Sequence, residues 1–160
     1  MLRKIGIIAV LSLLVTAFAA VPVLAQSGHF VGTPTCTDEG TQVQCTGKVA
    51  GLGGTTFEIT VDAADAIATV ECTNPGGNVA PGQDTTVDVA GTTDPQPTPR
   101  NGQFRFNILT DDPEPLPATP TCPNNQWTPN IVDVTFTDAT VTLLEGGIVS
   151  DTITVPVAPE

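Results

Sequence analysis

Hydrophobic and polar residues alternate strictly over several stretches of the chain. In "TTFEITVD", Phe57, Ile59 and Val61 alternate with Glu58, Thr60 and Asp62. "GQFRFNIL" sets Phe104, Phe106 and Ile108 against Gln103, Arg105 and Asn107. In "NIVDVTFTDATVTLLE", Val132, Val134 and Phe136 share one face, Thr137-Asp138 marks a bend, and Val141 and Leu143 follow. "DTITVPV" places Ile153, Val155 and Val157 together. A period of two, rich in Thr and Val, is the pattern of half-buried β-strands. "HFVGTPTCT", "TQVQCTGKVA", "AIATVECT" and "TTVDVAG" read as further strands. No stretch carries a helical period. "DAADAIATVEC" has room for one helical turn at Asp62 before its Ile-Ala-Thr-Val end returns to strand character.

Breakers separate these runs: Asp38-Glu39-Gly40, Gly51 to Gly54, Pro75 to Gly82, Asn101-Gly102 and Gly146-Gly147. Asn-Gly supplies the positive φ angles of a type I′ turn, so Asn101-Gly102 is expected to close a hairpin. In "CTNPGGNVAPGQD", Asn74-Pro75-Gly76 fits a type II turn with glycine at its third position, and Pro81-Gly82 repeats the device. Eight or nine short strands joined by such turns predict an all-β fold, an antiparallel, immunoglobulin-like β-sandwich. Two Pro-rich stretches, "TDPQPTPRNG" and "TDDPEPLPATPTCPNNQWTPN", cannot donate to a ladder and are loops. The longer, Thr110 to Asn130, is expected to cross between sheets, pinned by Cys122 and Trp127.

The first segment stands outside this pattern. Arg3 and Lys4 precede an apolar run, and Val23-Leu24-Ala25 offers the small residues signal peptidase requires. Residues 1–25 are therefore expected to be a secretory signal peptide and 26–160 a single β-sandwich domain. An uncleaved anchor is the rival, since the run approaches the roughly 20 residues of a membrane helix. Pro22 favours cleavage, and no cysteine follows the site to carry a lipid. Beyond residue 25 only Lys48, Arg100 and Arg105 are basic, against 17 acidic residues, a formal charge of −14. Nucleic acid and anionic lipid need dense positive charge in their partner, so both are set aside. The expected state is a soluble, monomeric, extracellular protein.

Cys36, Cys45, Cys72 and Cys122 all follow the signal, and an even count in an exported chain implies disulfides. Four cysteines allow three pairings. The spacing around Gly40 favours a hairpin staple, Cys36–Cys45, which leaves Cys72–Cys122 to close a long loop. With one histidine and no Cys-x-x-Cys pair, zinc is disfavoured.

Catalytic arrangements are sparse. Ser27, Ser150 and His29 show no hydrolase signature. A glycosidase needs paired carboxylates and aromatic sugar platforms. The chain has one Trp, no Tyr and six Phe, most of them at core-facing positions, so sugar stacking is also weak. Trp127 is read as a core plug beside a disulfide before a ligand platform. Calcium is the best metal candidate, at Asp111, Asp112 and Glu114 with Asp38 and Glu39 as a second pair, weighed against a solvated acidic loop. Asn74, Asn78 and Gln83, displayed on a rigid turn, are further binding candidates. The glycine-rich turn lacks the lysine and helix start of a phosphate site.

The pair "CTNPGGNVAPGQ" and "CPNNQWTPNIVDVTFTDATVTL" resembles a pattern in small exported bacterial proteins of unknown function. In these, a Cys-x-Asn-x-Gly-Gly-Asn loop precedes a Cys-Pro-x-x-x-Trp segment and a terminal hairpin. The resemblance covers about Lys48 to Leu144. It implies export, a β fold and a Cys72–Cys122 pair, and it transfers no catalytic residue. The expected function is thus non-enzymatic: extracellular binding, or a structural role, with an extracellular protein or envelope component as partner. A calcium- or glycan-binding surface module is the alternative.

Overall fold

The computed structural model describes residues 28–159. The expected signal peptide, residues 1–25, and Ser27 lie outside the described residues. Among those described, eleven strands carry the fold. They are β1 (His29–Phe30), β2 (Thr35–Asp38), β3 (Val43–Ala50), β4 (Thr56–Thr73), β5 (Val79–Pro81), β6 (Thr85–Thr92), β7 (Gln96–Pro97), β8 (Phe104–Leu109), β9 (Thr128–Thr135), β10 (Asp138–Glu145) and β11 (Ile148–Ala158). One short helical turn, Ala118–Thr121, precedes β9. The protein is the expected all-β, open antiparallel sandwich. It has eleven strands rather than eight or nine, because β1, β5 and β7 are pairings of two or three residues.

Two layers share one core. In the first, β3 pairs with β8 along one side and with β1 and β2 along the other. In the second, β4 runs down the centre with β10 and then β9 on one side, and β7, β6 and β5 on the other. The last strand joins the layers: β11 pairs antiparallel with β10, then Val157 and Ala158 run parallel to β2. Strand alternation buries Val43, Cys45 and Val49 of β3 and Phe106 and Ile108 of β8. They face Ile59 and Val61 of β4, Val89 of β6, and Val141 and Leu143 of β10. The rings of Phe57 and Phe104 meet across the layers, 4.9 Å between centroids. Opposite Phe106, position 47 must be glycine. A Cβ there would stand 2.5 Å from the Phe106 ring.

β4 corrects the sequence reading. "TTFEITVD" and "AIATVECT" form one strand of 18 residues, with no helical turn at Asp62. Buried positions are odd-numbered up to Ala63 and even-numbered from Ala66. A bulge reconciles the two: Ala63 pairs with Val89 and Ala66 with Val87, so Ala64 and Asp65 oppose Asp88 alone. Asp65 takes a positive φ of 54°, and its N–H donates to Asp88 Oδ1 at 2.9 Å. A second bulge corrects β9. Thr69 pairs with Asp133 and Val70 with Ile131, which leaves Val132 unpaired. Ile131 therefore turns toward the core, and Val132 is 48% exposed instead of sharing the face of Val134 and Phe136.

Three turn assignments also change. Asn101 lacks positive φ; Gly102 alone has it, at 61°, and Gly102 N–H donates to Pro99 O. The segment links β7 in one layer to β8 in the other, so no hairpin exists for a type I′ turn to close. Positive φ at both turn residues is found instead at Gly146 and Gly147, 58° and 80°, in the tight β10–β11 hairpin. In the β4–β5 turn Gly77, not Gly76, has positive φ, with Gly77 N–H donating to Asn74 O. The turn is therefore not type II. Gly82 is not left-handed either. Its N–H donates to Val70 O at 2.7 Å, so Pro81-Gly82 prolongs the strand edge.

Both disulfides pair as the sequence favoured. Cys36 and Cys45 are direct cross-strand partners on β2 and β3, 4.1 Å between Cα atoms. Cys72 at the end of β4 holds Cys122, 50 residues on. The Pro-rich stretches are loops only in part: Gln96–Pro97 pair with β4 and Thr128–Asn130 begin β9, so the crossing from β8 in one layer to β9 in the other runs over residues 110–127. Neither bond links the two layers face to face as the immunoglobulin disulfide does. Two disulfides place the folded chain in an oxidising compartment. Among the described residues no helix is long and apolar enough to cross a membrane.

Candidate functional site

The structure disperses the residues singled out from the sequence. Asn74 Oδ1 accepts the backbone N–H groups of Gly76 and Asn78, both at 2.9 Å, and so spends its side chain on its own turn. Asn78 Nδ2 leans on the same oxygen at 3.4 Å. Gln83 is anchored through its backbone N–H to Thr121 O, which ties the strand edge to the Cys122 segment. Trp127 is half-buried and lies outside the buried core, in a turn where its N–H donates to Asn124 O. The core is filled without it.

Asp111, Asp112 and Glu114 are exposed. Asp112 Oδ1 accepts from Thr41 Oγ1 at 2.9 Å and lines an open recess with Pro113, Pro115, Pro129 and Asn130. Asp38 caps its own hairpin, accepting from Gly40 N–H at 2.9 Å. Among the described residues no group of three or more His, Cys, Asp or Glu side chains is placed to hold a metal ion.

Two features escaped the sequence reading. The first is Glu145, fully buried at the inward-facing end of β10. Its Oε1 accepts from the N–H groups of Gly53 and Gly54, at 2.8 and 3.2 Å. Its Oε2 accepts from Gly28 N–H at 2.9 Å and from Ser150 Oγ at 2.8 Å. Ser150 reaches it because the β10–β11 ladder skips a residue there, pairing Leu143 with Asp151 and Leu144 with Val149. Burial pushes the Glu145 carboxyl up, but the bonds from Gly53, Ser150, Gly28 and Gly54 outweigh it and hold the group below its ordinary 4.5. A carboxylate so engaged fastens three chain segments together. The signal for it was present: the inward face Ala139, Val141, Leu143 continues in steps of two to Glu145.

The second is the outer face of β3 and β8. Lys48 and Arg105 are direct cross-strand partners, so their side chains leave the sheet side by side. Among the described residues neither they nor Arg100 form an ion pair with any carboxylate. Two recesses flank the pair. One, of about 380 Å³, is lined by Thr33, Thr35, Thr46, Lys48 and Arg105 among others. The other, of about 300 Å³, is lined by Lys48, Asn101, Gln103, Phe104 and Arg105. No Asp or Glu borders either recess, although the chain has 17. Arg100 sits in the turn beside Asn101. This face carries cations, hydroxyls and amides on a paired ladder, with the exposed Val31 at its border.

No protein-family model matches the chain, and a search of curated proteins finds no match.

Proposed function

We propose that the chain is an exported, non-enzymatic binding module whose working surface is the outer face of β3 and β8. The observation that carries this reading is the acid-free surface around Lys48 and Arg105 in a strongly acidic chain. Like charges directly opposite one another destabilise a sheet, and a purely structural face has no reason to keep them. Support for export comes from the leader-like residues 1–25 and from the oxidising compartment that two disulfides require. The resemblance to small exported β-proteins agrees with it. On this reading the protein is a monomer that meets an envelope component or an extracellular protein.

The test is a pull-down with the mature protein from culture supernatant and envelope fractions, with and without calcium. A partner retained reproducibly supports the module. An empty eluate under both conditions overturns it and leaves a structural role.

A further inference from the structure

We propose that the Lys48–Arg105 face binds a linear acidic glycan, seating sugar carboxylates on the cation pair and sugar hydroxyls in the two recesses. The inference rests on the binding-module reading and specifies its ligand. Arg105 offers a planar fork that matches a carboxylate in two parallel hydrogen bonds, and Lys48 adds a point charge beside it. The remaining polar lining groups are neutral, the hydroxyls of Thr33, Thr35 and Thr46 and the amides of Asn101 and Gln103; Val31, Phe104 and Phe106 also border the recesses, the two rings packed on Phe57 and Phe30 respectively. Such polar groups both donate and accept, as sugar hydroxyls do. Both recesses include Lys48 and Arg105, so the pair stands at their junction and an extended chain can run across it.

The charge of the whole molecule narrows the ligand class. The formal charge of −14 beyond residue 25 repels densely charged polymers, whose attraction depends on neutralising many closely spaced phosphates at once. A glycan with one carboxylate on each sugar, or on every second sugar, spreads its charge widely and meets the cations locally. Sugar recognition without an aromatic platform then follows, because charge-assisted bonds replace stacking. An acidic peptide fits less well: neither recess offers a deep apolar pocket for side-chain anchors.

Titration calorimetry of the mature protein with a short oligogalacturonate at low salt tests the inference. Its carboxyl-reduced counterpart and inorganic polyphosphate serve as comparison probes. Expected are binding of the oligogalacturonate that weakens with added salt, and no binding of the reduced sugar. Lys48→Gln and Arg105→Gln should each weaken binding about tenfold, whereas Lys48→Arg should retain it. Both glutamine variants should melt at or above the wild-type temperature, because each relieves a like-charge pair. Falling affinity beside undiminished stability separates a ligand site from a structural one.

Equal binding of the reduced sugar, polyphosphate binding as tight as the glycan, or glutamine variants that bind like wild type would each overturn the proposal. So would self-association that disappears in the glutamine variants, which would assign the face to a second copy of the chain. If envelope fractions still yield a partner after any of these results, the glycan assignment fails and the binding-module reading stands.

Discussion

Glu145 is the residue on which most of the local order converges, and its energetics can be checked directly. Among the described residues its donors come from Gly28, from the Gly53-Gly54 loop and from the bulged Ser150. Hydrogen bonds to charged groups are worth more than neutral ones, and a buried donor stripped of its acceptor carries the full desolvation cost. Glu145→Gln offers amide hydrogens to backbone N–H groups that need an acceptor, and should cost about 2–4 kcal/mol in urea unfolding at pH 7. The pH dependence has a definite sign. The folded carboxyl titrates below its ordinary 4.5, so its contribution is fully present above that value and is lost as pH falls through the folded value. Thermal melts from pH 7 to pH 3 should therefore show the wild type losing its advantage over Glu145→Gln below pH 4.5; a constant gap would remove Glu145 from that role. A second residue-scale outcome concerns Gly47. The Phe106 ring occupies the space a Cβ needs, so Gly47→Ala should cost about 1–3 kcal/mol through overpacking. A variant as stable as wild type would mean that the ring has an alternative seat.

At the scale of elements, three bulges and two disulfides shape the sheet. The Ala64-Asp65 bulge lets one strand present odd-numbered residues to one half of the core and even-numbered residues to the other. Alternation within each half was legible in "TTFEITVD" and "AIATVECT". Their continuity was not, because a bulge is defined by the partner strand, here Asp88 on β6. Val132 was assigned to the wrong face for the same reason. The disulfides stabilise according to the loops they close. In the chain-entropy estimate the Cys72–Cys122 bond contributes about 4 kcal/mol and the shorter Cys36–Cys45 bond about 2.5 kcal/mol. Cys72→Ala and Cys122→Ala should thus lower unfolding free energy by matching amounts, each larger than that of Cys36→Ala. Equality of all three cysteine variants would show that loop length does not govern the effect.

For the whole molecule, negative charge and the scattering of acidic side chains decide what the surface can do. Asp111, Asp112 and Glu114 lie on a Pro-rich crossing whose one engaged carboxylate, Asp112, bonds to Thr41. The described residues gather no three metal-capable side chains. Millimolar calcium should therefore leave the melting temperature unchanged within about 1 °C, since ligand-linked stabilisation requires a site present in the folded state. A rise of several degrees would reinstate the loop as a calcium site. Lys48 and Arg105 stand apart from the acidic background, and sequence distance hid this. Lys48 and Arg105 are 57 positions apart and become neighbours only through the β3–β8 register.

The sequence by itself determined the class of fold, most of the strands and the pairing of the cysteines. Period-two patterning, turn residues and an even cysteine count act over a few residues, so they are readable without partners. Tertiary structure decided which runs became one strand, which glycine pair made the tight hairpin, and where Val132 points. It alone buried Glu145 among backbone and hydroxyl donors and brought Lys48 and Arg105 together on one face. These features depend on registers between segments tens of residues apart, and a register is settled only when every ladder and the shared core are satisfied at once.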